Sequence, residues 1–151
     1  MLPRWHVLFG FVIAYILVYF FNFSLLAGLI IFIASWLIDI DHYFYHVYKQ
    51  RDFSLKRAYN WFIMKREKHK KLLKHKRKLH KNHILLFHGF EFFLIITFLA
   101  YFSPLFLWML IGVFIHMLAD YAELIYHYHP IDSKLSQIYT YIKNKNKKEL
   151  I

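Results

Sequence analysis

The sequence predicts an all-α integral membrane protein: a four-helix up-down bundle with a basic cytoplasmic segment between helices 2 and 3. Three observations predict it. Trp5 to Ile38 contains no Asp, Glu, Lys or Arg. His83 to Ala119 contains one such residue, Glu91. Of the 20 Lys and Arg residues, 14 fall between Lys49 and Lys81. Composition agrees. The chain has 151 residues, enough for one domain, and is 59% hydrophobic and 22% aromatic, which excludes disorder. Cysteine is absent, which excludes disulfides and thiolate metal sites.

The first apolar run would be about 51 Å long as a single helix. A bilayer hydrocarbon core is about 30 Å thick. The run therefore divides, and "NFS" at Asn22 to Ser24 is the turn. Helix 1 is expected over residues 2–21 and helix 2 over 23–45. The second run divides at Ser103-Pro104, an N-cap residue followed by proline at the first helical position. Helix 3 is expected over 83–102 and helix 4 over 104–126. Helix 1 does not read as a cleaved signal peptide. Its basic start is only Arg4, and no A-x-A site follows.

Charge placement sets the expected orientation. Neither short turn carries Lys or Arg, whereas the segment 46–82 and the tail 127–151 carry nearly all of them. By the positive-inside rule the chain is a multi-pass protein of the cell membrane with both termini cytoplasmic. "FSLKRAYNWFIM", Phe53 to Met64, spaces its apolar residues as an interfacial amphipathic helix does. Lys65 to Lys81 continues as a heavily basic helix or arm. It reads first as a solvated, topology-setting segment and next as a binder of anionic lipid head groups. No nucleic-acid recognition motif accompanies the net charge of +11, and no motif names a protein partner. The tail from Ser133 reads as a short amphipathic helix and a loose end.

Charged residues in membrane segments are costly and tend to be functional. Alternating helix direction brings four places to one end of the bundle. His6 opens helix 1, and Asp39, Asp41 and His42 close helix 2. His83, His88 and Glu91 open helix 3, and His116 and Asp120 lie in the last half of helix 4. His116 and Asp120 are i and i+4, His88 and Glu91 are i and i+3, and Asp39 shares a face with His42, with His46 one turn on. Asp41 points elsewhere unless the helix unwinds there. Each cluster alone also fits a helix cap or a buried hydrogen-bonded pair. Together they predict a centre for two or more divalent metal ions, with Zn first and Mn, Fe or Mg as alternatives. His69, His75, His80, His127 and His129 lie in basic, solvated stretches and are left out of the set.

Taken in order, "WHVLFG", "IDIDHY", "HILLFHGFEF" and "GVFIHMLADY" resemble the membrane-bound metal-dependent hydrolase family, which includes a LexA-binding inner-membrane protein. That family's pattern runs as an early histidine, Pro-Asp-hydrophobic-Asp-His, His-Arg-Gly-x-Thr-His-Ser and Gly-x-x-x-His-x-x-x-Asp. His6, then Asp39, Asp41 and His42, then His83 and His88, then Gly112, His116 and Asp120 match it. Ile38 replaces the proline, Ile84-Leu85 the Arg-Gly, and Phe87 and Gly89 the hydroxyl residues. The resemblance implies a membrane-bound, metal-dependent hydrolase.

The expected function is therefore metal-dependent hydrolysis of a lipid or phosphoester reached from the cytoplasmic side, with Glu91 as the general base. A di-iron oxidase or desaturase is the rival enzyme, although only His42-x-x-x-His46 resembles one of its histidine boxes. The rival outside catalysis is a metal transporter or sensor.

Overall fold

The computed structural model describes residues 3–72, 76, 79–126 and 132–148. His75, His127 and His129 lie outside the described residues. All named elements among those described are helical: α1 (Pro3–Phe20), α2 (Leu25–Leu37), α3 (Ile40–Gln50), α4 (Leu55–Lys71), a 3₁₀ turn (Leu86–His88), α5 (Phe90–Ala100), α6 (Pro104–Tyr126), α7 (Asp132–Leu135) and α8 (Gln137–Asn144).

Among the described residues, three helical stretches are long and apolar enough to cross a membrane: Pro3–Phe20 (α1), Leu25–Gln50 (α2 continued by α3) and Pro104–Tyr126 (α6). Their exposed residues are largely aromatic and aliphatic, including Phe11, Tyr15, Leu29, Ile33 and Phe114. The expected first turn forms where Asn22 takes a left-handed φ of 56°, a conformation Asn tolerates better than most residues. Ser24 then caps α2, its hydroxyl accepting from the Ala27 N–H. Ser103 and Pro104 open α6 as expected. α2 sits between α1 and α6 around a core of Ala14, Ile31 and Ile115.

The expected third span does not form as a continuous helix. α5 has 11 residues, about 16 Å, which is half a hydrocarbon core. Residues 83–89 leave the helix because distant side chains take their backbone donors. The Leu85 N–H donates to Gln137 Oε1 (2.9 Å) and the Phe87 N–H to Asp41 Oδ2 (3.0 Å). Backbone outside a helix is tolerated at membrane depth only where protein satisfies it, and here protein does. The four-helix bundle thus becomes three membrane-length helices with a short apolar fourth. The chain still reverses between α5 and α6, which pack side by side.

α4 is helical through both the amphipathic stretch and the first part of the basic one. Asp52 anchors its start, accepting from the Ser54 N–H and gripping the Arg57 guanidinium with both oxygens (2.6 and 2.7 Å). Arg57 holds the Asp52 carboxyl below the usual carboxylate range. Arg66 ties the other end of α4 to Glu123 of α6.

The C-terminal segment is more than a loose end. Asn144 accepts from the Asn82 N–H (3.0 Å) and donates to its carbonyl (2.9 Å). Lys148 bridges Leu79 and Lys81 through the backbone. α8 is therefore a strut beside the stretch that leads to His88.

Candidate metal centre

Four segments converge on one end of the bundle: the start of α1, the end of α2, the 3₁₀ turn Leu86–His88 and the later half of α6. Gly10 and Ala14 bury the inner stripe of α1, one and two turns from His6, and fix that stripe against α2. His6 is 1% exposed. At the end of α2 the hydrogen bonds tighten: Asp39 to Trp36, Asp41 to Ile38 and His42 to Asp39 are all three-residue bonds. In a 3₁₀ register residues i and i+3 eclipse, which stacks Asp39 and His42. The same tightening turns Asp41 toward the neighbouring segment, the unwinding anticipated as one alternative. On α6, His116 and Asp120 are one turn apart and buried.

Among the described residues, six offer ligand atoms in three overlapping triads: His6–Asp39–His116, Asp39–His42–His88 and His88–His116–Asp120. Within each triad the atoms lie within 4.8 Å of one another. His88 Nε2 is 3.3 Å from Asp39 Oδ1 and 3.5 Å from Asp120 Oδ2. His6 Nε2 is 3.4 Å from Asp120 Oδ1, and its ring stacks on His116 with centroids 3.9 Å apart.

Two observations test whether these residues suit a cation. The first is tautomeric. His116 Nδ1 faces the Ser35 carbonyl at 2.8 Å, and a carbonyl only accepts, so that nitrogen carries the proton. His88 Nδ1 faces the Asp41 carboxylate at 3.0 Å, so it is protonated too. In neutral rings both Nε2 atoms then hold lone pairs, yet they point at each other across 3.0 Å. A cation between them turns that repulsion into two bonds. The second is orphaned polarity. Both ring nitrogens of His6 and Oδ2 of Asp39 are buried without a hydrogen-bond partner. The donor set fits a divalent ion with nitrogen and oxygen ligands.

Asp41 is placed differently from the other expected ligands. It belongs to none of the triads among the described residues. It accepts instead from His88 Nδ1 and the Phe87 N–H, and lies 3.1 Å from His42 Nδ1. That is the position from which a carboxylate can fix the tautomer and orientation of a histidine able to hold a metal.

His83 and Glu91 stand apart from the triads. His83 packs its ring among Tyr45 (5.0 Å), Phe62 (5.3 Å) and Trp61 (5.7 Å). Burial first, then the Lys65 charge, pushes its pKa down to about 3, so it is a neutral ring in an aromatic box. His88 lies in the 3₁₀ turn and Glu91 in α5, so no shared helix gives them a common face. The Glu91 carboxylate accepts from Ser136 Oγ (2.5 Å), the Gln137 N–H (3.1 Å) and the Ile138 N–H (3.2 Å). It caps the start of α8, where a negative charge is favoured, and its oxygens are committed there. The general-base expectation is therefore replaced by a structural role. His46 is buried against Trp61 with Asp52 3.6 Å away, outside the triads. His69, expected in solvent, is half-buried and lines a cavity above the centre.

Three participants were not anticipated. Ser35 holds His116 through its backbone carbonyl, while its hydroxyl donates to the Phe32 carbonyl, so the side chain gives no sign of the contact. Gln137 pins the stretch before His88. The Lys134 amine pairs with Asp120. Lys134 is the first Lys or Arg after Lys81, a gap that orientation counting absorbs without assigning a role.

His83→Ala and Glu91→Gln are expected to keep wild-type metal content, measured by atomic emission after desalting. His83→Ala should lower Tm by emptying the aromatic box. Glu91→Gln weakens a charged cap whose bonds are worth about 1.5–3 kcal/mol, so proteolysis of the C-terminal segment should accelerate. Metal lost from the His83 variant would restore His83 to the ligand set, and metal lost from the Glu91 variant would add Glu91 to it.

No family model matches the chain, nor does any curated protein or solved structure.

Proposed function

We propose that the chain is a membrane-embedded, metal-dependent hydrolase. The observation that carries the reading is the pair of opposed Nε2 lone pairs on His88 and His116, ringed by three more ligands and Asp39. The likeness to the membrane-bound metal-dependent hydrolase family belongs to the same reading. Three triads that share His88, His116 and Asp39 suit two adjacent ions, with zinc the first choice for this donor set. A divalent cation held there lowers the pKa of a water and neutralises charge on a phosphoryl or acyl oxygen.

The chain's own residues supply the rest. Asp39 belongs to two of the triads and would be a ligand in either. Asp41 and the Ser35 carbonyl hold His88 and His116 in the tautomer that presents Nε2. Lys134 stands beside Asp120, where its ammonium can meet an anionic group or give a proton to a leaving alkoxide. In the overall step a water oxygen bonds to phosphorus or acyl carbon. The ester bond breaks, and the leaving alkoxide takes up a proton.

Orientation belongs to the same proposal. The start of α1, the end of α2, the 3₁₀ turn before α5 and the later half of α6 meet at one end. With the lysines of 49–81 beside it, that end faces the cytoplasm. Cysteines placed at Asn22 and Ser103 should react with an impermeant thiol reagent outside intact cells, and one at Lys70 should not. Labelling at Lys70 would reverse the orientation.

The activity test uses purified protein with chromogenic phosphomonoester, phosphodiester and carboxylic ester substrates. Metal-loaded protein should turn over at least one class. Chelation should stop it and metal should restore it, whereas Asp39→Asn should be inactive. Stoichiometric metal with no turnover of any class would favour a transporter or sensor instead.

A further inference from the structure

The amphipathic pattern of α8 is inside out. Gln137, Thr140 and Asn144, at i, i+3 and i+7, share its inner face and are buried. Ile138, Tyr141 and Ile142 hold the opposite face and are 63%, 57% and 57% exposed. Apolar residues scattered over a surface are ordinary, but polar residues inside and apolar ones outside on one helix are not. The inner face is polar because it serves backbone. Gln137 Oε1 accepts from the Leu85 N–H, and the Asn144 amide pairs with both backbone groups of Asn82. A helix packed this way in water would carry polar residues on its outer face.

The depth of α8 identifies what covers that face. Phe93, near the start of α5, packs on Phe114 of α6 with centroids 6.3 Å apart. From Phe114 to Tyr126 α6 runs on for about 18 Å with no α5 beside it, still within a membrane-length apolar helix. The start of α8 lies at that level. The Glu91 carboxylate of α5 accepts from Ser136, Gln137 and Ile138, and the Tyr121 hydroxyl of α6 donates to the Lys134 carbonyl (3.4 Å). Phe90 and Leu94, on either side of Glu91 in sequence, are exposed as well. The first three N–H groups of α8 are all taken, Gln137 and Ile138 by Glu91 and Tyr139 by the Ser136 hydroxyl, as hydrocarbon surroundings demand. At the far end Lys143 and Lys145 lie over the rings of Tyr139 and Tyr141. Tyrosines collect at the membrane–water interface, and lysines there snorkel to the headgroups. The face is about 12 Å long, too small for a stable dimer, which buries about 800 Å² per partner.

We propose that α8 is embedded in the bilayer leaflet on the side of the His–Asp cluster, with Ile138, Tyr141 and Ile142 among the acyl chains. It completes the wall that α5 is too short to form. Its Glu91-capped start is the deeper end, and the two lysine–tyrosine pairs stand at the headgroups. The inference needs the membrane and is independent of the hydrolase reading.

The chain lacks cysteine, so a spin label can be placed at single sites of the full-length protein. Ile138→Cys and Ile142→Cys would be labelled, with Leu29→Cys on the outer face of α2 and Glu67→Cys on exposed α4 as references. Each would be put one chain to a nanodisc of phosphatidylcholine and phosphatidylglycerol. Power saturation then compares collisions with oxygen, which concentrates in lipid, and with a nickel chelate, which stays in water. Labels at positions 138 and 142 should favour oxygen as the one at position 29 does, at least threefold over the ratio at position 67. A ratio like that at position 67 would put α8 in water, and exclusion of both reagents would put protein over the face. Either overturns the proposal. Ile138→Asn with Ile142→Asn gives a second readout. Both sites are exposed, so a helix in water would lose nothing by the change. In the bilayer the pair should speed proteinase K digestion of the C-terminal segment at least threefold, and digestion at the wild-type rate would overturn the proposal.

Discussion

His116→Ala is expected to abolish metal binding. The His116 ring is buried, stacked on His6, and held through Nδ1 by the Ser35 carbonyl, so Nε2 has a fixed direction. Nε2 is 3.0 Å from His88 Nε2, 3.4 Å from Asp120 Oδ2 and 3.8 Å from Asp39 Oδ1. Removing it takes a ligand from two of the three triads. Losing an outer-sphere partner typically costs about 10–100-fold in metal affinity. Asp41→Ala should fall in that range, and His116→Ala should exceed it. Affinity would be read by competition with a chromogenic chelator on protein in detergent. The competing account is a metal-free core in which a protonated His88 donates to His116. It predicts no metal in the wild type and a purely thermal penalty in both variants.

The part of this centre that could be read in the sequence is the part that depends on helices. Alternating spans bring His6, Asp39, His88 and Asp120 to one end whatever the details of packing. The i, i+4 rule places His116 with Asp120. Reading failed where the backbone stops being helical. His83 and His88 match a motif at a fixed offset, but residues 83–85 are not helical and 86–88 form a 3₁₀ turn, so no common face joins them. Glu91 seemed to lie one turn from His88 only because the helix was extended back through Gly89. What ends that helix is Asp41, 46 residues earlier in sequence from the Phe87 N–H it accepts, and Gln137, 52 residues later than Leu85. Periodicity carries no trace of partners so distant. The same is true of Lys134, which pairs with Asp120 from 14 residues further along the chain.

Gly112→Ala is expected to cost both stability and metal, and the reason is an approach of backbones. A Cβ at residue 112 would stand 2.5 Å from the Ile31 carbonyl oxygen, 2.7 Å from the Ala34 Cβ and 3.1 Å from the Ser35 nitrogen. None of these can rotate away, so α2 and α6 must separate. Small residues at such crossings are what let membrane helices pack closely. Overpacking costs typically about 1–3 kcal/mol, and with backbone on the other side the upper end is expected. The separation acts on Ser35, whose carbonyl holds His116 one turn beyond Gly112, so the 2.8 Å bond must lengthen and Nε2 must swing from its fixed direction. Metal affinity should therefore fall along with Tm. Gly28→Ala is the matched control. Its new Cβ would stand 2.4 Å from Val18 Cγ2, the end of a side chain that can turn aside, and no triad residue lies near it in sequence. That variant should lose some Tm and keep its metal. If Gly112→Ala kept both wild-type Tm and wild-type affinity, the α2–α6 contact would not be what aims His116.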